Sequence, residues 1–285
     1  MRDYNDYVQA LLGVYHDAGN IETSALPRPG VAKVPSDKAA KPVLMLSPHP
    51  DDEMLIGALP LRFMRQCGIR VVNVSLTLGS KRERQAERLE ELKAACAYIG
   101  FETRTIGTRG LEGINPEAKE DNPIRWDAAV DEVASIITDL NPAAIFYPHA
   151  LDANRTHIGV HRLVAEALPL AAHPCQCFQT EFWAPMGKPN LAVESTAEDL
   201  ANLITALSKH CGEIARNPYH LRLPMWMMDN VRRGAELVGS QGGVVPAFDF
   251  ATLYKRSFWN GTRMEHASTR GVFLDAKSIP NHLLQ

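Results

Sequence analysis

The chain has 285 residues, 45% of them hydrophobic and 22% charged, and a formal net charge of −3. That is length enough for one sizeable core, in the composition of a globular protein rather than a disordered or fibrous one. The charge gives no electrostatic reason to expect nucleic acid or an anionic membrane as partner; no apolar run approaches the roughly 20 residues of a membrane span, and acids interrupt the first residues where a secretory leader would be apolar. A cytoplasmic protein is therefore expected.

In chain order, Tyr7, Val8, Leu11, Leu12 and Tyr15 recur at helical spacing. The proline-bearing stretch "ETSALPRPGVAKVPSDKAAKP" that follows has no periodicity. Residues 1–40 are thus expected to form a helix and an irregular extension, ahead of one domain over 41–285. From residue 43 strands and helices alternate: "VLMLS" as a strand, 53–66 as a helix, "RVVNVSLT" as a strand and 81–99 as a long helix. "FETRTIG" reads as a strand, 107–125 as a polar loop, 126–139 as a helix, "AAIFYP" as a strand and 157–171 as a helix. Such alternation predicts βαβ units and a largely parallel sheet covered on both faces. Beyond it, "CFQTEFWAPM" and "NLAVES" read as strands, while "TAEDLANLITALSKHC" and "LPMWMMDNVRRGAELVG" read as helices. The five cysteines lack zinc-knuckle spacing and read as structural thiols. Trp183, Trp226 and Trp259 could each stack on a sugar ring, but a sequence does not say which of them faces a cleft.

Chemistry concentrates where the first strand runs into its helix, at "SPHPDDEMLIG". In an open α/β sheet, ligands bind at the carboxyl ends of strands. An Asp at a helix start caps it, and acids in the first turn complement the helix dipole, so one or two of these acids need no other role. Capping does not account for His49 between two prolines, nor for Asp51, Asp52 and Glu53 in succession. A catalytic zinc takes three protein ligands and keeps one position open. His49 and Asp52 would be two, and a third must come from another strand end. "HALDANRTHIGVHRL" offers His149, His157 and His161. His157 falls in the first turn of its helix, nearest the strand ends, with His161 one turn deeper, which favours His157.

These residues resemble the LmbE-like, or PIG-L, deacetylase family. "PHPDDEMLIG" matches the family's strand followed by His-Pro-Asp-Asp-Glu, "RLEELKAACAYIG" is similar to its second block, and "NRTHIGVHRLVAEAL" aligns on His157. The likeness covers roughly residues 41–215. It implies a Rossmann-like three-layer α/β fold. It also implies His49, Asp52 and His157 as zinc ligands, Asp51 as general base, Arg88 as a substrate contact and Glu53 as support at the helix start. The implied reaction is hydrolysis of an N-acetyl, or other N-acyl, group on a small sugar or glycoconjugate, with Zn2+ as cofactor. Two histidines and one carboxylate also suit Fe2+. Where many members have a histidine three residues before the last ligand and an aspartate directly before it, this chain has Asn154 and Thr156. Asn154 can donate a hydrogen bond to an oxyanion but delivers no proton near neutral pH. The acid role then falls to His149 or back to Asp51. Two other readings stand beside this one: a metal-dependent hydratase or lyase of the same fold acting on a carboxylated substrate, and a sugar-binding protein that keeps a metal without catalysis. The sequence leaves a homo-oligomer open.

Overall fold

The structure, a computed structural model, describes residues 3–21, 40–266 and 271–285. In chain order its elements are α1 (Tyr4–Ala18), β1 (Val43–Ser47), α2 (Asp52–Leu55), α3 (Ala58–Cys67), β2 (Val71–Ser75), α4 (Gln85–Ile99) and β3 (Glu102–Thr105). Next come α5 (Ala118–Asp121), α6 (Pro123–Leu140), β4 (Ala144–Pro148), α7 (Arg155–Ala171), β5 (Cys175–Thr180) and β6 (Leu191–Ser195). The last are α8 (Ala197–Leu207), α9 (Cys211–Arg216), α10 (Leu223–Leu237), β7 (Phe250–Trp259), β8 (Met264–His266) and β9 (Val272–Leu274). The N-terminal helix expected around residues 4–15 is α1, begun by an Asp3 carboxylate that accepts from the Asp6 amide. Most of the irregular stretch expected after it lies outside the described residues.

Every residue of β1, β2 and β4 is buried, as befits strands covered on both faces. The described strands form one sheet in the order β3-β2-β1-β4-β5-β7-β6-β9, with β8 beside β7. Strands β1 to β5 pair in parallel, whereas β7 runs antiparallel between β5 and β6. The result is the three-layer α/β architecture that the alternation predicts. Successive residues of β1 enter opposite cores. Val43 and Met45 pack in a layer with Phe63, Leu92 and Leu203; Leu44 and Leu46 pack with Trp126, Val133 and Leu163 of α6 and α7. Burying each such side chain contributes about 1.5–3 kcal/mol. Among the described residues no helix is long and apolar enough to cross a membrane.

Several elements depart from the sequence expectation, among them α5, which lies inside the stretch 107–125 expected as a polar loop. The helix expected over 53–66 is broken: α2 ends at Leu55, α3 begins at Ala58, and Gly57 between them has φ +91°. A Cβ on Gly57 would lie 2.3 Å from Thr252 Oγ1, and the Tyr254 hydroxyl donates to the Ile56 carbonyl, so β7 fills the break from below. The helix expected through Cys211 ends at Leu207, and α9 starts separately after His210. The strand expected through Met186 ends at Thr180, leaving 181–186 as a loop. Strand β7, the longest in the sheet, lies in a stretch that the periodicity leaves unassigned.

β1 is flanked by β2 on one side and β4 on the other, and the chain proceeds outward in opposite directions from these two. The loops leaving the carboxyl ends of β1 and β4 therefore diverge and open a crevice, the position where such sheets bind ligands.

Candidate active site

The loop after β1 carries His49, Asp51 and Asp52, and the first turn of α7, which follows β4, carries His157. The crevice brings His49, Asp52 and His157 together. His49 Nδ1 lies 3.2 Å from Asp52 Oδ2 and 3.2 Å from His157 Nε2, and His157 Nε2 lies 3.1 Å from Asp52 Oδ2. The turn is fixed locally by the His49 backbone N–H, which donates to the same Asp52 oxygen at 2.9 Å. His161 sits apart, its Nδ1 2.9 Å from the Pro148 carbonyl.

The chemistry of this donor set fits a divalent cation. Two imidazole nitrogens face one another at 3.2 Å with a carboxylate oxygen completing the triangle. Ligand atoms so spaced can all reach one ion at the usual distance of about 2.0–2.2 Å. Behind His157, its Nδ1 is buried without a hydrogen bond and faces Asp152 Oδ1 at 3.5 Å. A carboxylate behind a ligating histidine fixes ring orientation and raises its basicity. Phe182 presses edge-to-face on the His157 ring at 4.8 Å.

Burial lowers the His49 pKa, and the neighbouring Asp52 only partly opposes this. At His157 burial acts the same way, but the charge and hydrogen bond of Asp52 outweigh it and the pKa rises. Burial would raise Asp52, yet His157 and His49 hold its carboxyl well below the ordinary carboxylate range. Two of the ligand candidates thus favour the forms that bind metal, a neutral imidazole at His49 and an ionised carboxylate at Asp52.

Asp51 is not in the triad and has partners of its own. Burial first, then the Asp52 charge, push its carboxyl up to about 7, against the pull of His210, Arg88 and Tyr219. The Tyr219 hydroxyl donates to Asp51 Oδ2 at 2.6 Å. Glu53 stands behind the turn: Oε2 accepts the Asp51 N–H at 2.9 Å, and Oε1 lies 2.7 Å from His210 Nε2, both side chains fully buried.

Arg88 is less open than a substrate contact would suggest. It donates to the Pro50 carbonyl at 2.9 Å, lies 3.9 Å from Asp51 Oδ2 and 3.7 Å from Glu213 Oε1, and its side chain is 12% exposed. His149 has both ring nitrogens engaged: Nε2 lies 2.9 Å from the Ala184 carbonyl, and Nδ1 accepts the Leu151 N–H at 3.3 Å. That leaves it no free nitrogen to offer a substrate. Asn154 is the N-cap of α7, accepting the Thr156 N–H at 2.9 Å, while its own N–H donates to Asp152.

The sequence reading missed Asp152, Tyr219, His210 and the 181–186 loop as parts of the site. Asp152 stands five residues before His157 and was open to discovery as the acid nearest that ligand. Tyr219 carries no local signal. Glu181, paired with Arg233 of α10 at 2.6 Å, holds the loop. The loop's Trp183 N–H donates to Asp152 Oδ2 at 3.1 Å. Of the three tryptophans in question, Trp259 is buried and Trp226 packs against the core, while Trp183 is 43% exposed and meets Tyr219 edge-to-face at 5.7 Å. Beside His49 opens a cleft of about 490 Å³.

Residues 44–168 match the family profile described as GlcNAc-PI de-N-acetylase, PIG-L. The chain is 31% identical over 160 residues to the 1D-myo-inositol 2-acetamido-2-deoxy-alpha-D-glucopyranoside deacetylase of Thermomonospora curvata, covering 46% of this chain and 54% of that protein. It is 26% identical over 189 residues to a probable N-acetyl-alpha-D-glucosaminyl L-malate deacetylase 2 of Bacillus cereus, covering 59% and 81%. The chain thus spans about half the length of the inositol-glycoside deacetylases that it matches. In fold it is similar to N,N'-diacetylchitobiose deacetylase from Pyrococcus horikoshii, with TM-score 0.54, 15% identity, and 92% and 96% of the two chains covered.

Proposed function

We propose that this chain, whose residues 44–168 are a PIG-L (LmbE-like) family domain, is a metal-dependent hydrolase that removes an N-acetyl group from a small amino-sugar-containing substrate. The observation that carries the reading is the convergence of His49, Asp52 and His157 with a separately held carboxylate, Asp51, beside them. The relatives' activities, on N-acetylglucosamine joined to inositol or to malate, support an amide of that kind. Zinc is the proposed ion and the cytoplasm the proposed compartment.

When bound, a divalent cation there would supply Lewis acidity, making water more acidic and, through the acyl oxygen, the acyl carbon more electrophilic. The protein's own part is proton transfer and positioning. Asp51 takes the proton of the attacking water, in keeping with a carboxyl pushed up to about 7, close to the pH at which a general base works best. Tyr219 occupies Oδ2 and orients the carboxyl. Having taken a proton near neutral pH, Asp51 can return it to the departing amine, so the reaction needs no proton from Asn154 or His149. Asn154 starts α7 and thereby sets His157; His149 and Arg88 hold the loops after β4 and β1.

The test is acetate release from N-acetylated sugars by the metal-loaded protein, alongside Asp51→Asn. The variant is expected to keep its metal, measured by elemental analysis, and to lose at least about 10²-fold in kcat. Full activity in that variant would remove Asp51 from the base role. A hydratase would release no acetate from any N-acetyl sugar, and a non-catalytic binder would retain the sugar unchanged.

A further inference from the structure

The cleft beside His49 has the size of a small-molecule site, more than the reacting acyl group occupies. Its walls come from six places: the loop after β1, the turn after β2, the segment entering α4, the 111–115 loop, and the first turns of α6 and α7. The 111–115 loop can lie close because α7 carries Gly159, where a Cβ would stand 2.6 Å from the Asn115 backbone nitrogen. Three arginines line the cleft from different segments: Arg82 before α4, Arg125 in the first turn of α6, and Arg155 at the start of α7.

One carboxylate, Glu112, lines it with them. A single Glu112 oxygen, Oε2, serves two guanidiniums, 2.8 Å from Arg82 and 3.6 Å from Arg125. Arg155 pairs with Glu117, outside the lining. Each guanidinium offers five N–H donors, so these pairings leave most of them unspent. Arg155 and Thr156 also present the first turn of a 17-residue helix, the positive end of its dipole, to the same space. Three guanidiniums and a helix start against two carboxylates, Glu112 and Glu117, still leave more positive charge than a neutral sugar hydroxyl group calls for.

We propose that the substrate carries, beyond its N-acetylated ring, an anionic group, carboxylate or phosphate, bound in this cleft by Arg82, Arg125 and Arg155. The inference deepens the deacetylase reading and rests on it.

The experiment compares three N-acetylglucosaminides that differ at C1: methyl, phosphate and carboxymethyl. With the metal-loaded wild type, kcat/KM for an anionic glycoside is expected to exceed that for the methyl glycoside by about tenfold or more, the worth of one charge-assisted hydrogen bond. Which of phosphate and carboxymethyl is preferred identifies the anion. The preference should shrink as sodium chloride rises from 0.02 to 0.5 M, because the guanidiniums are partly solvent-exposed. In Arg82→Gln and Arg125→Gln, made singly, the ratio of anionic to neutral kcat/KM is expected to fall several-fold. In Arg232→Gln, outside the cleft, the ratio should hold. Equal kcat/KM for all three glycosides, or a preference indifferent to salt and to both cleft variants, overturns the inference. If no glycoside releases acetate, the deacetylase reading fails. Titration calorimetry with the same three compounds then decides the cleft separately: tighter binding of an anionic glycoside, lost in the variants, upholds it, and equal binding overturns it.

Discussion

Asp51 combines the strain and the chemistry of the site in one residue. With φ +110° and ψ −33° it occupies a conformation that costs a non-glycine residue about 1–3 kcal/mol. The Glu53–His210 pair opposes that cost, since Glu53 Oε2 holds the Asp51 N–H and Oε1 meets His210 Nε2. His210 is therefore expected to act on turnover through Asp51 rather than by touching substrate. His210→Phe should lower kcat about 10- to 100-fold with little change in KM or metal content, and His210→Gln, which can still donate to Glu53, should recover part of the loss. Unaltered kcat in His210→Phe would show that Glu53 and the turn stand without it. Asp152 acts on the metal instead. Asp152→Asn is expected to weaken metal affinity by about 10- to 100-fold, read by competition with a chelating dye. Of these residues the sequence made Asp51, Asp52 and Glu53 legible because they are contiguous at a strand end. The family resemblance implied a separate role for each, but what holds Asp51 and Glu53 was not legible, since their partners Tyr219 and His210 lie 168 and 157 positions away.

At the scale of elements, the break between α2 and α3 connects the site to the far half of the chain. Apolar residues at helical spacing run straight through it, so the sequence reads as one helix. Gly57 and β7 break it. With Thr252 and Tyr254 of β7 against the break, Gly57→Ala must place a Cβ 2.3 Å from Thr252 Oγ1 at a positive φ. A loss of about 2–4 kcal/mol in unfolding free energy is expected, from backbone strain and overpacking together, measurable by urea denaturation. A loss within 0.5 kcal/mol or so would mean that β7 yields easily and does not shape the first turn. Strand β7 itself escaped the sequence reading for a physical reason. Its residues are buried on both sides for most of its length, and the adjacent Lys255 and Arg256 interrupt any alternation. A strand without a period gives periodicity nothing to detect.

For the whole molecule, the sheet's outward progression from β1 and β4 puts the two halves of the triad on opposite sides of one crevice. An ion bound there joins the β1 loop to α7, so it should stabilise the folded state by mass action. At a free metal concentration of 100 Kd the gain is about 2.7 kcal/mol. Removing metal with a chelator is therefore expected to lower Tm by several degrees, and the shift should vanish in His157→Ala. A chelator-induced shift that persists in His157→Ala would place the stabilising ion elsewhere.

The sequence by itself determined the alternating α/β architecture, because the period of hydrophobic residues reports which faces are buried. It also determined the chemistry of the first turn, because a strand end is a local feature and "PHPDDE" is contiguous. Tertiary structure alone decided what surrounds that turn: the antiparallel β7 under the helix break, Tyr219 on Asp51, His210 behind Glu53, and the arginines lining the cleft from three separate segments. These contacts join residues far apart in the chain, and no local pattern encodes a partner that only folding brings near.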